Sequence, residues 1–176
     1  VCLEKLDRSD FEEVYRIMEQ SFPADERRKN GRAAKSFWMK KNMAARCKKR
    51  GRAFGILAVW EFAEFVFIEH FAVSEKARNS GIGRKNVRGT GKAESRKSCS
   101  GGGIAGGFPG KKRRIGFYER HGFTFNEYPY IQPPMGEDRH EIPLRIMSAP
   151  EPLSEDEFQS VRTELYESVY HYVCEE

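Results

Sequence analysis

"EFVFIEHFAVSEKARNSGIG", Glu64 to Gly83, carries an apolar strand pattern straight into a glycine loop. The first ten residues are rich in aromatic and β-branched side chains, which suit a pleated, largely buried backbone. The loop that follows, Arg78-Asn79-Ser80-Gly81-Ile82-Gly83, combines a cation with two glycines. Glycines at 81 and 83 let backbone N–H groups approach an anion without interference from a Cβ, and Arg78 adds charge, so this is the chemistry of a pyrophosphate cradle. Such a loop normally hands the chain to a helix whose N-terminus faces the anion. Here it hands the chain to glycine, lysine and arginine with no apolar stripe. A P-loop is excluded by spacing, since "GTGK" has no glycine five residues before Gly91 and Ala93 stands where a Ser or Thr would hold magnesium.

Upstream, "FGILAVWEF" (Phe54 to Phe62) has the same strand character, and the short turn near Ala63 and Glu64 predicts an antiparallel hairpin. "LDRSDFEEVYRIMEQSF" predicts an amphipathic helix, with Ser9 and Glu12 spaced as a capping box and Phe11, Val14, Ile17 and Met18 on one face. "SFPADERR" is expected to be a polar loop. Downstream, "RRIGFYERHGF" predicts a short helix closed by Gly122 at C′. "FTFNEY" and "EIPLRIM" are expected to be strands, with "YPYIQPPMGED" as a proline-rich connection between them. The last segment predicts a helix with Ser154 and Glu157 as its capping box and Phe158, Val161, Leu165, Val169 and Tyr172 as its stripe.

At 176 residues the chain is expected to form one domain with a real core, although only 39% of it is hydrophobic. It has no run of membrane-span length and no apolar block near Val1, so a cytoplasmic protein is expected. Cys2, Cys47, Cys99 and Cys174 lie far apart with no C-x-x-C pair, and the four histidines are scattered, so neither a disulfide framework nor a metal site is expected. The net charge of +5 is unevenly placed. Asn30 to Trp60 holds nine Lys or Arg and no acid, and Arg84 to Arg114 holds ten against Glu94 alone, which leaves −13 on the remainder. The chain reads as an acidic domain interrupted by two basic blocks. As a nucleic-acid binder it is the weaker reading, because neither block interleaves aromatics with charge and the remaining surface would repel phosphate.

The strand, the loop from Arg78 to Gly83 and, about thirty residues on, "GFYERHGF" from Gly116 to Phe123 together resemble the GNAT superfamily of N-acetyltransferases. That family's acetyl-CoA signature is Arg or Gln, two residues, Gly, one residue, Gly or Ala. The resemblance covers most of the chain by order of elements. It implies an α/β fold with a mixed central β-sheet flanked by helices in a single domain, with residues 1–150 as the acetyltransferase domain and 151–176 as a terminal amphipathic helix packed on it. It implies acetyl-CoA as cosubstrate, held by Arg78, Asn79, Ser80, Gly81, Ile82, Gly83 and Arg84, with backbone groups of Phe71, Ala72 and Val73 pairing with the pantetheine amides. Tyr118 matches the tyrosine that protonates the departing thiolate, and Glu69 is the candidate base for the acceptor amine. His70 is expected to alternate to the other face of the strand. The acceptor would be a small-molecule or peptide amine, with neither nucleic acid nor membrane as partner; a homodimer is compatible with this.

The basic blocks, 30–53 and 85–113, stand where the resembling family has regular elements. Glutamate-rich coding read one base out of register yields glycine and arginine, and in the frame starting at the last base of each codon Phe37-Trp38-Met39-Lys40 must read Leu-Asp-Glu. Both blocks are therefore read as out-of-frame segments, with the helix and strand after the glycine loop disrupted. Activity of the chain as written would suffer, and a CoA-binding remnant without catalysis is the third reading.

Overall fold

In a computed structural model the described residues are 2–37, 42–49, 52–77, 97–102 and 111–172. They divide into two compact units, Val1–Ser98 and Cys99–Glu176.

In the first unit, strands β1 (Cys2–Lys5), β2 (Asn42–Lys49), β3 (Arg52–Glu61) and β4 (Phe65–Val73) pair in that order, each antiparallel to the next. The β3–β4 hairpin is the one expected from the sequence, and the Phe62 N–H donates to the Phe65 carbonyl at 2.9 Å to close its turn. Helix α1 (Phe11–Ser21) lays Phe11, Val14, Tyr15, Ile17 and Met18 on the sheet, where they meet Ile56 and Ala58 of β3 and Ala72 of β4 in one buried cluster. Each large side chain so buried contributes roughly 1.5–3 kcal/mol. The expected capping box of Ser9 and Glu12 does not form. Asp10 occupies the N-cap position without a side-chain capping bond, while Asp7 accepts from the Ser9 N–H and hydroxyl and caps a preceding 3-10 turn, Arg8–Asp10. The Ser9 hydroxyl is thus engaged as a donor to Asp7, and the carboxylate is the capping group.

Helix α2 (Asn30–Phe37) and β2 lie in the first basic block and have no counterpart in the expected elements, and β1 was likewise not expected. The register of β2 shifts between Cys47 and Lys48, which leaves Phe54 as an extra residue on β3. Phe54 packs against Val73 and Ala77, and its carbonyl accepts from the Ser74 N–H at 2.7 Å. This fixes the end of β4 and the 3-10 turn Glu75–Ala77 that leads toward the glycine loop. Within the second basic block Lys97–Gly102 forms β5.

The second unit holds α3 (Lys111–Glu119), β6 (Thr124–Phe125), β7 (Tyr130–Gln132), β8 (Ile142–Ala149) and α4 (Glu155–Glu164). Both β6 and β7 pair antiparallel with β8. The strand expected over "FTFNEY" is only two residues long. Just beyond it the Asn126 N–H still donates to the Ile146 carbonyl of β8, its side-chain amide donates to that carbonyl and to the Ser148 hydroxyl, and its Oδ1 accepts from the Leu153 N–H. The proline-rich connection, in turn, contains β7, with Tyr130 and Gln132 buried. The capping box of Ser154 and Glu157 on α4 forms as expected, and Phe158, Val161, Leu165 and Val169 are buried. Tyr172 is not part of that stripe. The helix widens to a π-helical stretch over Leu165–Tyr170 and ends at His171 in the left-handed region, so Tyr172 is 44% exposed.

Candidate active site

Strand β4 carries an irregularity at the position that matters most. Ala58 of β3 faces His70, and the next residue, Val59, faces Ile68, so Glu69 is an extra residue in a β-bulge. A bulge interrupts the alternation of side chains. His70 Nδ1 consequently lies 4.0 Å from Glu69 Oε2, and the expectation that His70 turns to the opposite face is overturned.

Glu69 is held on both oxygens. Arg28 Nη1 pairs with Oε1, and Trp60 Nε1 donates to Oε2 at 2.8 Å. Its side chain is only 1% exposed. Burial pushes the carboxyl up, but the Arg28 guanidinium, the adjacent His70 and the hydrogen bonds from Trp60 and Arg28 together outweigh it and hold the group below the ordinary value of 4.5. His70 is buried as well, with the edge of its ring against Phe22 and Nε2 2.8 Å from the Glu26 carbonyl oxygen. Burial moves its pKa below the ordinary 6.5, against the pull of Glu69 and of the Glu26 carbonyl. Arg28 is itself positioned by the helix above it, since the Tyr15 hydroxyl donates to the Arg28 carbonyl at 3.0 Å.

The segment after α1, expected to be a plain polar loop, therefore supplies Glu26 and Arg28 to this cluster. Neither residue was singled out in the sequence, nor was Trp60. The "DERR" run shows only that cations are available; a contact across 41 residues leaves no local signal.

Phe71, Ala72 and Val73 finish β4 opposite Leu57, Ile56 and Gly55. Arg78, Asn79, Ser80, Gly81, Ile82, Gly83 and Arg84 lie outside the described residues. Tyr118 sits in the last turn of α3, 4% exposed, with its ring edge against Phe123 at 5.1 Å between centroids. The helix closes there as expected. The Gly122 N–H donates to the Glu119 carbonyl and the Phe123 N–H to the Tyr118 carbonyl, with Gly122 at φ 86°, which is a Schellman motif.

A model of the Acetyltransferase (GNAT) family matches residues 10–123, a span that includes the β3–β4 hairpin, the glycine loop and the Tyr118 helix. The chain belongs to the GNAT acetyltransferase family. A putative GNAT acetyltransferase from Bacteroides thetaiotaomicron has the same fold, with a TM-score of 0.84 at 25% identity over 98% of this chain and 100% of that one. An aminoglycoside 6'-N-acetyltransferase complexed with coenzyme A gives 0.62 at 11% identity over 88% of this chain and 100% of that one. The ribosomal-protein-S18-alanine N-acetyltransferase from Escherichia coli gives 0.60 at 16% identity, over 88% and 96%. No curated protein matches the sequence. The α/β GNAT fold expected from the sequence is thus the fold observed, and as a GNAT member the chain is an N-acetyltransferase with acetyl-CoA as cosubstrate. Among the described residues, no helix is long and apolar enough to cross a membrane.

Proposed function

We propose that this GNAT protein transfers the acetyl group of acetyl-CoA to an amine on a small molecule or peptide, with neither nucleic acid nor membrane as partner. The observation that carries the reading is the polar cluster at the β4 bulge, where a buried carboxylate is prepared on the strand that leads to the glycine loop. In this reading residues 1–150 form the acetyltransferase domain and 151–176 its terminal helix. Residues 78–84 take the pyrophosphate, the backbone of Phe71 to Val73 pairs with pantetheine, Glu69 receives the amine proton, and Tyr118 protonates the departing thiolate. Calorimetry with acetyl-CoA, in the presence and absence of DNA, tests it. Binding that DNA does not compete with, and that Gly83→Val abolishes without loss of helical signal, is the expected result. Binding of DNA alone would favour the basic blocks as the functional surface, and acetyl-CoA binding without turnover would favour a remnant.

The two basic blocks are read as out-of-frame coding of a GNAT gene, which would lower the activity of the chain as written. Nine cations without an acid over Asn30–Trp60 and ten against a single acid over Arg84–Arg114, set in a chain that is otherwise acidic, are what support this. Resequencing the coding DNA decides it: a clean single frame through both blocks would make them true insertions.

A further inference from the structure

We propose that Glu69 and His70 work as one proton-holding pair, in which Glu69 receives the proton of the acceptor amine and passes it to Nδ1 of His70. The inference rests on the acetyltransferase reading and adds His70 to it.

The tautomer follows from geometry. Nε2 of His70 lies 2.8 Å from a carbonyl oxygen, which can only accept, so Nε2 carries the hydrogen. In the neutral ring Nδ1 then holds a bare lone pair. That nitrogen is buried and has no hydrogen-bond partner, a costly state unless it has a use. Glu69 Oε2 lies 4.0 Å from it. Two acceptors thus face each other across a gap that a proton on Nδ1 would turn into an Nδ1–H···Oε2 ion pair after a small approach. The charged groups around the imidazole are Glu69 on β4 itself and Glu26 and Arg28 on the segment after α1, with Phe22 as an apolar wall.

Glu69 alone is a poor store for the proton. Arg28 and Trp60 stabilise its ionised form, so a proton placed on it leaves readily. At ordinary values imidazole is the more basic partner, and Glu69 raises the His70 pKa against the burial that lowers it. The balance is then complete. An ammonium R–NH3+ gives one proton through Glu69 to His70, and the free amine attacks the thioester carbonyl. As the tetrahedral adduct collapses, the C–S bond breaks and the second proton leaving the nitrogen goes to the departing thiolate. His70 finally releases its proton to solvent. His70 acts through Glu69 and is a positioning residue in this scheme, not one that touches substrate.

The test uses the full chain with His121, His140 and His171 replaced by glutamine, so that His70 alone reports. Nitrogen NMR of that imidazole should show the Nε2–H tautomer at pH 7, and Glu69→Gln should move its titration to lower pH, because the carboxylate that favours the imidazolium is gone. In activity, His70→Gln should lower kcat by ~10²-fold and displace the acidic limb of the pH profile, with acetyl-CoA affinity unchanged. An Nδ1–H tautomer at neutral pH, or a titration indifferent to Glu69→Gln, overturns the pair. The NMR arm needs no turnover, so failure of acetyl-CoA binding would count against the acetyltransferase reading and leave the pair to be judged by its own signal.

Discussion

The indole Nε1 of Trp60 and Oε2 of Glu69 are 2.8 Å apart across the β3–β4 hairpin, both within the buried part of the first unit. Glu69 is the residue bulged out of the ladder. Trp60→Phe keeps most of the ring's packing and removes the donor. It should destabilise the protein by about 1.5–3 kcal/mol, as expected for a hydrogen bond to a charged group, in urea melts followed by circular dichroism. Stability equal to wild type would show that Arg28 alone suffices to hold the carboxylate.

Acid should loosen this cluster in a definite order. His70 has a folded pKa below its ordinary 6.5, so the unfolded chain binds the extra proton first and stability should begin to fall as the pH drops through 6.5. Glu69, also depressed in the folded state, contributes stability that is present above its ordinary 4.5 and lost as the pH falls through the lower folded value. Thermal melts between pH 8 and pH 3 should therefore show a decline that starts near pH 6.5 and steepens below pH 4.5. In Glu69→Gln the steepening should disappear.

Tyr118→Phe separates a chemical role from a packing one. The ring is buried against Phe123, and phenylalanine preserves that contact. If the hydroxyl protonates the thiolate, turnover should drop by ~10²-fold with acetyl-CoA affinity little changed, as measured by steady-state kinetics and calorimetry. An unaltered rate would leave Tyr118 as a core residue.

Asn126 gives a test of the second unit alone. Its amide closes bonds to β8 and to the approach of α4, and none of those partners reaches water easily. Asn126→Ala strands the Leu153 N–H and should cost about 2–3 kcal/mol, the range for an orphaned buried donor. Asn126→Asp keeps the acceptor for Leu153 but loses the two donations, so it should not restore stability fully. Equal melting temperatures for wild type and alanine variant would contradict the network.

Gly122 at φ 86° lies in the left-handed region, although a Cβ there would meet nothing within 4 Å. The penalty for Gly122→Ala is thus purely conformational, about 1–2 kcal/mol, and Gly122→Asn should cost less.

The sequence by itself determined the parts of this protein that are held by neighbours in the chain. The stripe of α1, the β3–β4 hairpin, the Ser154–Glu157 box and the Gly122 closure each depend on residues within about one turn or one hairpin of one another, so periodicity and turn chemistry suffice to find them. The start of α1 lies at Asp10 rather than Ser9, whose N–H and hydroxyl both go to Asp7. Only the tertiary structure decided what Glu69 is. A one-residue bulge leaves no mark on composition, yet it sets Glu69 and His70 side by side, and the groups that hold them, Arg28 and the Glu26 carbonyl, come from 41 and 44 residues away. The same holds for Asn126, whose partners at 146, 148 and 153 turn an expected strand into a junction. Polar side chains are satisfied wherever the fold brings a partner, and that partner is chosen by register and packing rather than by the residues on either side.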